Sequence, residues 1–197
     1  MLLPLHENRE GTFAQAALPE LRAALSKASA VLIGCGLGVN EDTVFLVERI
    51  LEEASCPVIL DADGINIAAA HIDMLKNRKA PLLLTPHPGE MARLCGCTAA
   101  EIQADRTGAA RRFAREYGVT LVLKGANTVI AGETQPPFSS TERAIPVWRR
   151  AAAAICSRVC LPPLRHREWN RSERPQQRFI FTDWQGMSLQ SIIPCAA

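Results

Sequence analysis

The sequence predicts an α/β fold, a mostly parallel central sheet with helices on both faces, and three observations carry that prediction. Short apolar runs such as Pro81–Thr85 and Thr120–Lys124 stop abruptly at turn-forming and polar residues, as buried parallel strands do where they deliver a loop. Stretches with helical spacing fill the intervals between those runs, so strand and helix alternate along the chain. That alternation lasts only to about Gly132, beyond which no clean period follows. The expected division is therefore a folded α/β domain over residues 1–135, incomplete as it stands, and a poorly ordered tail over 136–197.

Each element has its own signal. Thr12 to Ala28 offers Phe13, Ala16, Leu21 and Leu25 to one helical face, with Pro19 splitting or restarting the helix. Ala30–Gly34 reads as a buried strand. Asn40 is placed to cap a helix from Glu41 to about Ala54, whose stripe is Val44, Leu46, Val47, Ile50 and Leu51. Pro57–Asp61 and Pro81–Thr85 are the next strands. Thr98 caps a single long helix to about Tyr117, ended by Gly118. Thr120–Lys124 is a fourth strand, and Thr128–Ala131 its hairpin partner. Pro136-Pro137 then breaks the chain, and Leu161–Gln177 has neither period.

Composition narrows the classes. A chain of 197 residues with 48% hydrophobic residues can build one domain with a real core, and no apolar run reaches membrane-spanning length. Met1–Leu5 is too short for a signal-peptide core. Seven cysteines without a framework spacing read as reduced thiols of a cytoplasmic protein, and Cys95-Gly-Cys97 lacks the partner pair that a zinc site needs. The net charge of +2 hides an asymmetry: residues 1–140 carry −3, while residues 141–197 carry +5, with nine arginines, no lysine and all three tryptophans.

Four loops could carry chemistry. Gly34-Cys-Gly-Leu-Gly38 lets backbone amides approach a ligand closely, although an ordinary tight turn looks the same. Asp61-Ala-Asp-Gly-Ile-Asn66 sets two carboxylates and an amide at a strand end, suited to a metal–phosphate group or substrate hydroxyls, or simply to a helix cap beside a solvated aspartate. His87 stands between Pro86 and Pro88, and Gly89-Glu90 opens a helix whose amides favour an anion. That rigid setting favours a ligand contact over a structural histidine. Lys124-Gly-Ala-Asn-Thr128 combines a cation with small and polar residues, which suits a nucleotide phosphate, and also suits a hairpin turn with an exposed lysine.

Together these segments, IGCGLG at 33–38, PVILDADGIN at 57–66, PLLLTPHPGEMARL at 81–94 and TLVLKGANTVIAG at 120–132, resemble the ADP/ATP-dependent NAD(P)H-hydrate dehydratases of the ribokinase-like superfamily. They occur in that family's order and spacing over roughly half of the chain, and TPHPGEMARL is highly specific. The resemblance implies a ribokinase-like fold and a metabolite-repair lyase. Such an enzyme dehydrates hydrated NADH or NADPH back to NAD(P)H at the expense of ADP or ATP, with Mg2+ carried on the nucleotide. It implies that Gly36 and His87 bind the substrate, and that Lys124, Gly125, Ala126, Asn127 and Thr128 bind the adenine nucleotide. No nucleic-acid or membrane partner is implied, and an intact member could assemble as a homo-oligomer. Cys35 and Asn127 depart mildly from the family's usual proline and glycine.

The ends depart further. The resemblance implies another glycine-rich strand-and-helix unit before Met1, and after the KGANT turn a GMATGGSGD segment bearing the catalytic aspartate. Neither is present in frame, so no catalytic residue is assigned. Back-translated in a shifted frame, Thr141–Arg158 can read GTGNPGMATGGSGDMLSG, so the tail is read as out-of-frame translation beginning between about Glu133 and Thr141. The expectation is a truncated, frameshifted member that is itself inactive. The competing readings are a vitamin or thiazole kinase of the same superfamily, and a non-catalytic gene remnant.

Overall fold

The computed structural model describes residues 3–125 and 127–132, together with the backbone of two short strands at 138–139 and 180–182. Four strands follow one another across the sheet in chain order and run parallel: β1 (Ala30–Ile33), β2 (Val58–Leu60), β3 (Leu82–Leu84) and β4 (Thr120–Leu123). Their register pairs Leu32 with Ile59 and Ile59 with Leu83, which fixes the two faces of the sheet. β5 (Val129–Ala131) returns antiparallel beside β4, as the sequence leads one to expect, and β6 (Phe138–Ser139) continues that edge. At the opposite edge β7 (Ile180–Thr182) lies antiparallel against β1. The sheet is mixed and mostly parallel.

The helices sit where the crossovers require them. A right-handed return repeated in one direction places each connecting helix on the same face. α1 (Leu18–Leu25), α2 (Glu41–Glu53), α3 (Asp63–Ala70), α4 (Pro88–Cys95), α5 (Ala99–Ala104) and α6 (Arg106–Tyr117) accordingly contribute Leu21, Leu46, Ile65, Met91, Ile102 and Phe113 to one core. Val31, Ile33, Leu60, Leu84 and Leu121 supply its floor. Each large aliphatic side chain buried there contributes about 1.5–3 kcal/mol. The alternate strand positions, Leu32, Ile59 and Leu83 with half-buried Val122, form a separate apolar row on the other face. The second helical layer expected from the sequence is not among the described residues.

Local chemistry explains the element boundaries. Pro19 lies in the first turn of α1, where its missing N–H costs nothing, and a 3₁₀ turn over Gln15–Ala17 leads into it. Asn40 caps α2 by accepting the Thr43 amide at 3.0 Å, while the Thr43 hydroxyl accepts the Asn40 amide. The single helix expected from Thr98 to Tyr117 is instead two. Asp105 leaves the helical region (φ −141, ψ 68), and its carboxylate accepts the Gly108 amide at 2.8 Å, capping α6 afresh. Gly118 ends that helix in the left-handed conformation, as expected.

Acceptance of the Gly108 amide, and then the neighbouring Arg112, hold the Asp105 carboxyl below the usual aspartate range. A depressed folded value means that the unfolded chain binds the proton more readily. The cap's contribution is thus present above the ordinary pKa of about 3.9 and is lost as pH falls through the lower folded value. The Gly108 amide resonance should titrate in that acid window. Asp105→Asn should abolish the titration, and its persistence would show that another group is responsible.

Candidate functional site

The loops after β1 to β4 all leave from the same end of the sheet, and each is tied to its neighbour. In the first, Gly34 has φ +136, and a Cβ there would lie 1.7 Å from the Asp61 carbonyl oxygen, so only glycine lets the loop after β1 cross the end of β2. Around Gly36 (φ +71) the corresponding space is open within 4 Å. The Gly38 amide donates to Asp63 Oδ2 at 3.0 Å, which fastens the far end of the glycine loop to the first turn of α3.

The loop after β2 is a tight turn closed by the Gly64 amide donating to the Asp61 carbonyl at 3.0 Å. Ala62 takes φ 47 and ψ −116, the first central position of a type II′ turn, where glycine is the favoured residue. It is the one positive-φ non-glycine among the described residues. Backbone strain of this kind gathers at functional sites.

The loop after β3 is built around His87. Its Nδ1 accepts the Gly89 and Glu90 amides at 3.0 and 3.3 Å, and its own amide donates to Glu90 Oε2 at 2.8 Å, making a reciprocal cap on α4. The leading amides of α4, expected from sequence to favour an anion, are therefore engaged by the imidazole. With Nδ1 accepting, the neutral ring carries its proton on Nε2, 3.5 Å from Glu90 Oε1. The imidazole is half-exposed, whereas the Glu90 carboxylate is only 6% exposed.

The loop after β4 meets the other three. The Lys124 amide donates to the Pro86 carbonyl at 2.8 Å, and its ammonium lies 2.7 Å from Asp61 Oδ1 and 4.0 Å from Glu90 Oε2. Behind the turn, Arg106 Nη2 donates to the carbonyls of Leu123, Lys124 and Asn127 at 3.2, 3.2 and 3.1 Å. A Cβ on Gly125 would stand 2.6 Å from that nitrogen, so glycine is what admits the guanidinium.

The sequence-predicted residues Gly36, His87, Lys124, Gly125, Asn127 and Thr128 thus lie on loops at one end of the sheet, and Ala126 lies outside the described residues. The GMATGGSGD-like reading of the tail also falls outside them. Sequence reasoning missed three contributors: the strained Ala62, Glu90 as the buried link between His87 and Lys124, and Arg106 behind the turn. No local pattern marks Arg106, because its carbonyl partners lie 17, 18 and 21 residues along the chain. Cys56, Cys95 and Cys97 carry free thiols, and burial with the neighbouring Cys97 pushes the Cys95 thiol up to about 11. No described helix is long and apolar enough to cross a membrane.

Comparison with known proteins places this geometry in context. The sequence profile of the NAD(P)H-hydrate dehydratase family matches residues 4–144. The bifunctional NAD(P)H-hydrate repair enzyme Nnr of Moorella thermoacetica is 44% identical over 131 residues, which are 66% of this chain and 25% of that protein. The ADP-dependent (S)-NAD(P)H-hydrate dehydratase of Neisseria meningitidis is 44% identical over 106 residues, 52% of this chain and 36% of that protein. A ribokinase-like superfamily protein from Enterococcus faecalis superposes with a TM-score of 0.53 at 23% identity, covering 64% of this chain and 43% of that one, which bears on the fold alone. The chain spans about a quarter of the length of the first bifunctional relatives it matches.

Two stability measurements test the local geometry. Ala62→Gly should raise stability by about 1 kcal/mol, because relief of strain at the turn exceeds glycine's extra entropy cost; unchanged or lowered denaturation midpoints would mean the turn is unstrained. Glu90→Ala should cost about 1–3 kcal/mol by leaving the His87 amide without its acceptor, with Glu90→Gln costing less.

Proposed function

The chain belongs to the NAD(P)H-hydrate dehydratase family, and we propose that its described loops bind the two reactants of nucleotide-driven dehydration of hydrated NADH or NADPH, restoring NAD(P)H. The observation that carries this reading is the convergence of the glycine loop, His87 and the Lys124 turn at one end of the sheet, latched by the Lys124–Pro86 backbone bond and the Lys124–Asp61 pair. Gly36, with open space beside it, takes the hydrated nicotinamide together with His87, whose Nε2–H offers a donor. Lys124, Gly125, Ala126, Asn127 and Thr128 take the adenine nucleotide, the lysine as a point charge and the turn through its amides.

The name of the Neisseria relative supports ADP as the first nucleotide to test. Among the described residues no group of three or more His, Cys, Asp or Glu side chains is placed to hold a metal ion. Magnesium enters this reading on the nucleotide phosphates, and no step is assigned to it. Three free thiols, Cys56, Cys95 and Cys97, accord with a cytoplasmic setting. The out-of-frame reading of the tail belongs to the same proposal. It leaves the catalytic aspartate unencoded, and preorganised groups at such a site supply several kcal/mol of barrier lowering.

Titration calorimetry with ADP and with ATP should find binding that Lys124→Met weakens about tenfold, the loss of one charge-assisted hydrogen bond. Incubated with hydrated NADH and either nucleotide, the chain should regenerate no reduced-nicotinamide absorbance. Sustained turnover would overturn the inactive-chain reading, and failure to bind either nucleotide would overturn the nucleotide assignment. Resequencing the codons from Lys124 to Arg158 tests the frame slip directly.

A further inference from the structure

The Arg106 guanidinium has no counterpart among the residues assigned above, yet it makes more hydrogen bonds to the Lys124–Thr128 turn than any other described side chain. One nitrogen, Nη2, reaches three carbonyl oxygens from both arms of the turn, at 3.2 Å (Leu123), 3.2 Å (Lys124) and 3.1 Å (Asn127). Its other terminal nitrogen donates to Gln103 Oε1 at 3.1 Å, which braces the fork against α5. Gly125 passes so close to Nη2 that any side chain there would displace the guanidinium. Where carbonyls are gathered inward on a cation, the intervening amides turn the other way. Among described residues neither the Gly125 nor the Asn127 amide donates to another backbone group. Outward amides gathered in one turn can make an anion-binding concavity.

We infer that Arg106 is the positioning residue of the turn: it holds the carbonyls inward so that the amides of Gly125, Asn127 and Thr128 face an anionic phosphate. The identity of that anion rests on the nucleotide reading above. Arg106 stands behind the turn and acts through it, and it does so by geometry that a lysine cannot copy, because a single ammonium lacks the planar fork.

The test uses the full chain, with Arg106→Ala and Arg106→Lys compared with the wild type by amide hydrogen exchange, thermal melting and ADP titration. Both variants should accelerate exchange at the Lys124 amide, which is protected by its bond to the Pro86 carbonyl, relative to Ala109–Phe113 in the helix that Arg106 begins, and both should weaken ADP by about tenfold or more. The lysine variant keeps the charge and should keep the fold, so it decides the matter if the alanine variant melts. Exchange at the turn unchanged in both variants, or accelerated equally throughout α6, would overturn the inference. If wild-type chain binds no ADP, the nucleotide reading fails, and the exchange ratio alone then decides for or against Arg106.

Discussion

The architecture depends on one constraint: four parallel strands adjacent in chain order must each return by a right-handed crossover over the same face. That single rule puts α2 to α6 in one layer, sets the common core beneath them, and delivers four consecutive loops to the same end of the sheet. Nothing about the loops themselves is needed to bring them together. The rule also leaves the alternate strand residues, Leu32, Ile59 and Leu83, as a row on the opposite face. Parallel sheets are ordinarily covered on both faces.

Once gathered, the loops are held mainly by backbone and buried contacts rather than by charge. The Lys124–Asp61 pair is partly exposed, at 42% and 26%, and such pairs contribute about 0–1 kcal/mol. The Lys124–Pro86 backbone bond, the reciprocal His87–Glu90 cap and the near-contact of Gly34 with Asp61 constrain the same residues without that weakness to salt. The ion pair is thus free to be exchanged. An ammonium that loses little by leaving Asp61 can turn to a phosphate.

Much of this was legible in the sequence, and for identifiable reasons. β1 to β5 stand within a residue or so of their predicted limits because each is an apolar run stopped by glycine, proline or a charge. Asn40, Thr98 and Gly118 cap as expected because capping depends on one side chain and local backbone geometry. The break at Asp105 was not legible, since the hydrophobic period runs straight through it. Only competition from the aspartate's own carboxylate for the Gly108 amide ends the helix there. Arg106 and Glu90 were hidden for another reason. Their partners, the Leu123, Lys124 and Asn127 carbonyls for one and the Lys124 ammonium for the other, are long-range contacts that no local pattern encodes.

The charge balance at the loop end bears on how an anion could be received there at all. Among the described residues, Asp61, Asp63 and Glu90 bring three carboxylates to the ends of β2 and β3, against the ammonium of Lys124 on the same side. A phosphate approaching those groups is not drawn in by net charge, and Lys124 is already shared between two of the carboxylates. Attraction must come from groups the carboxylates do not already neutralise. The turn's amides are such groups, and the Arg106 cation lies directly behind the carbonyls that they alternate with. The half-buried guanidinium placed there does two things at once. On the inference drawn above, it orients the amide dipoles outward, and it adds positive potential along their direction. On the nucleotide reading proposed above, Lys124 would supply the contact at the rim, while Arg106 would set the depth of the cradle.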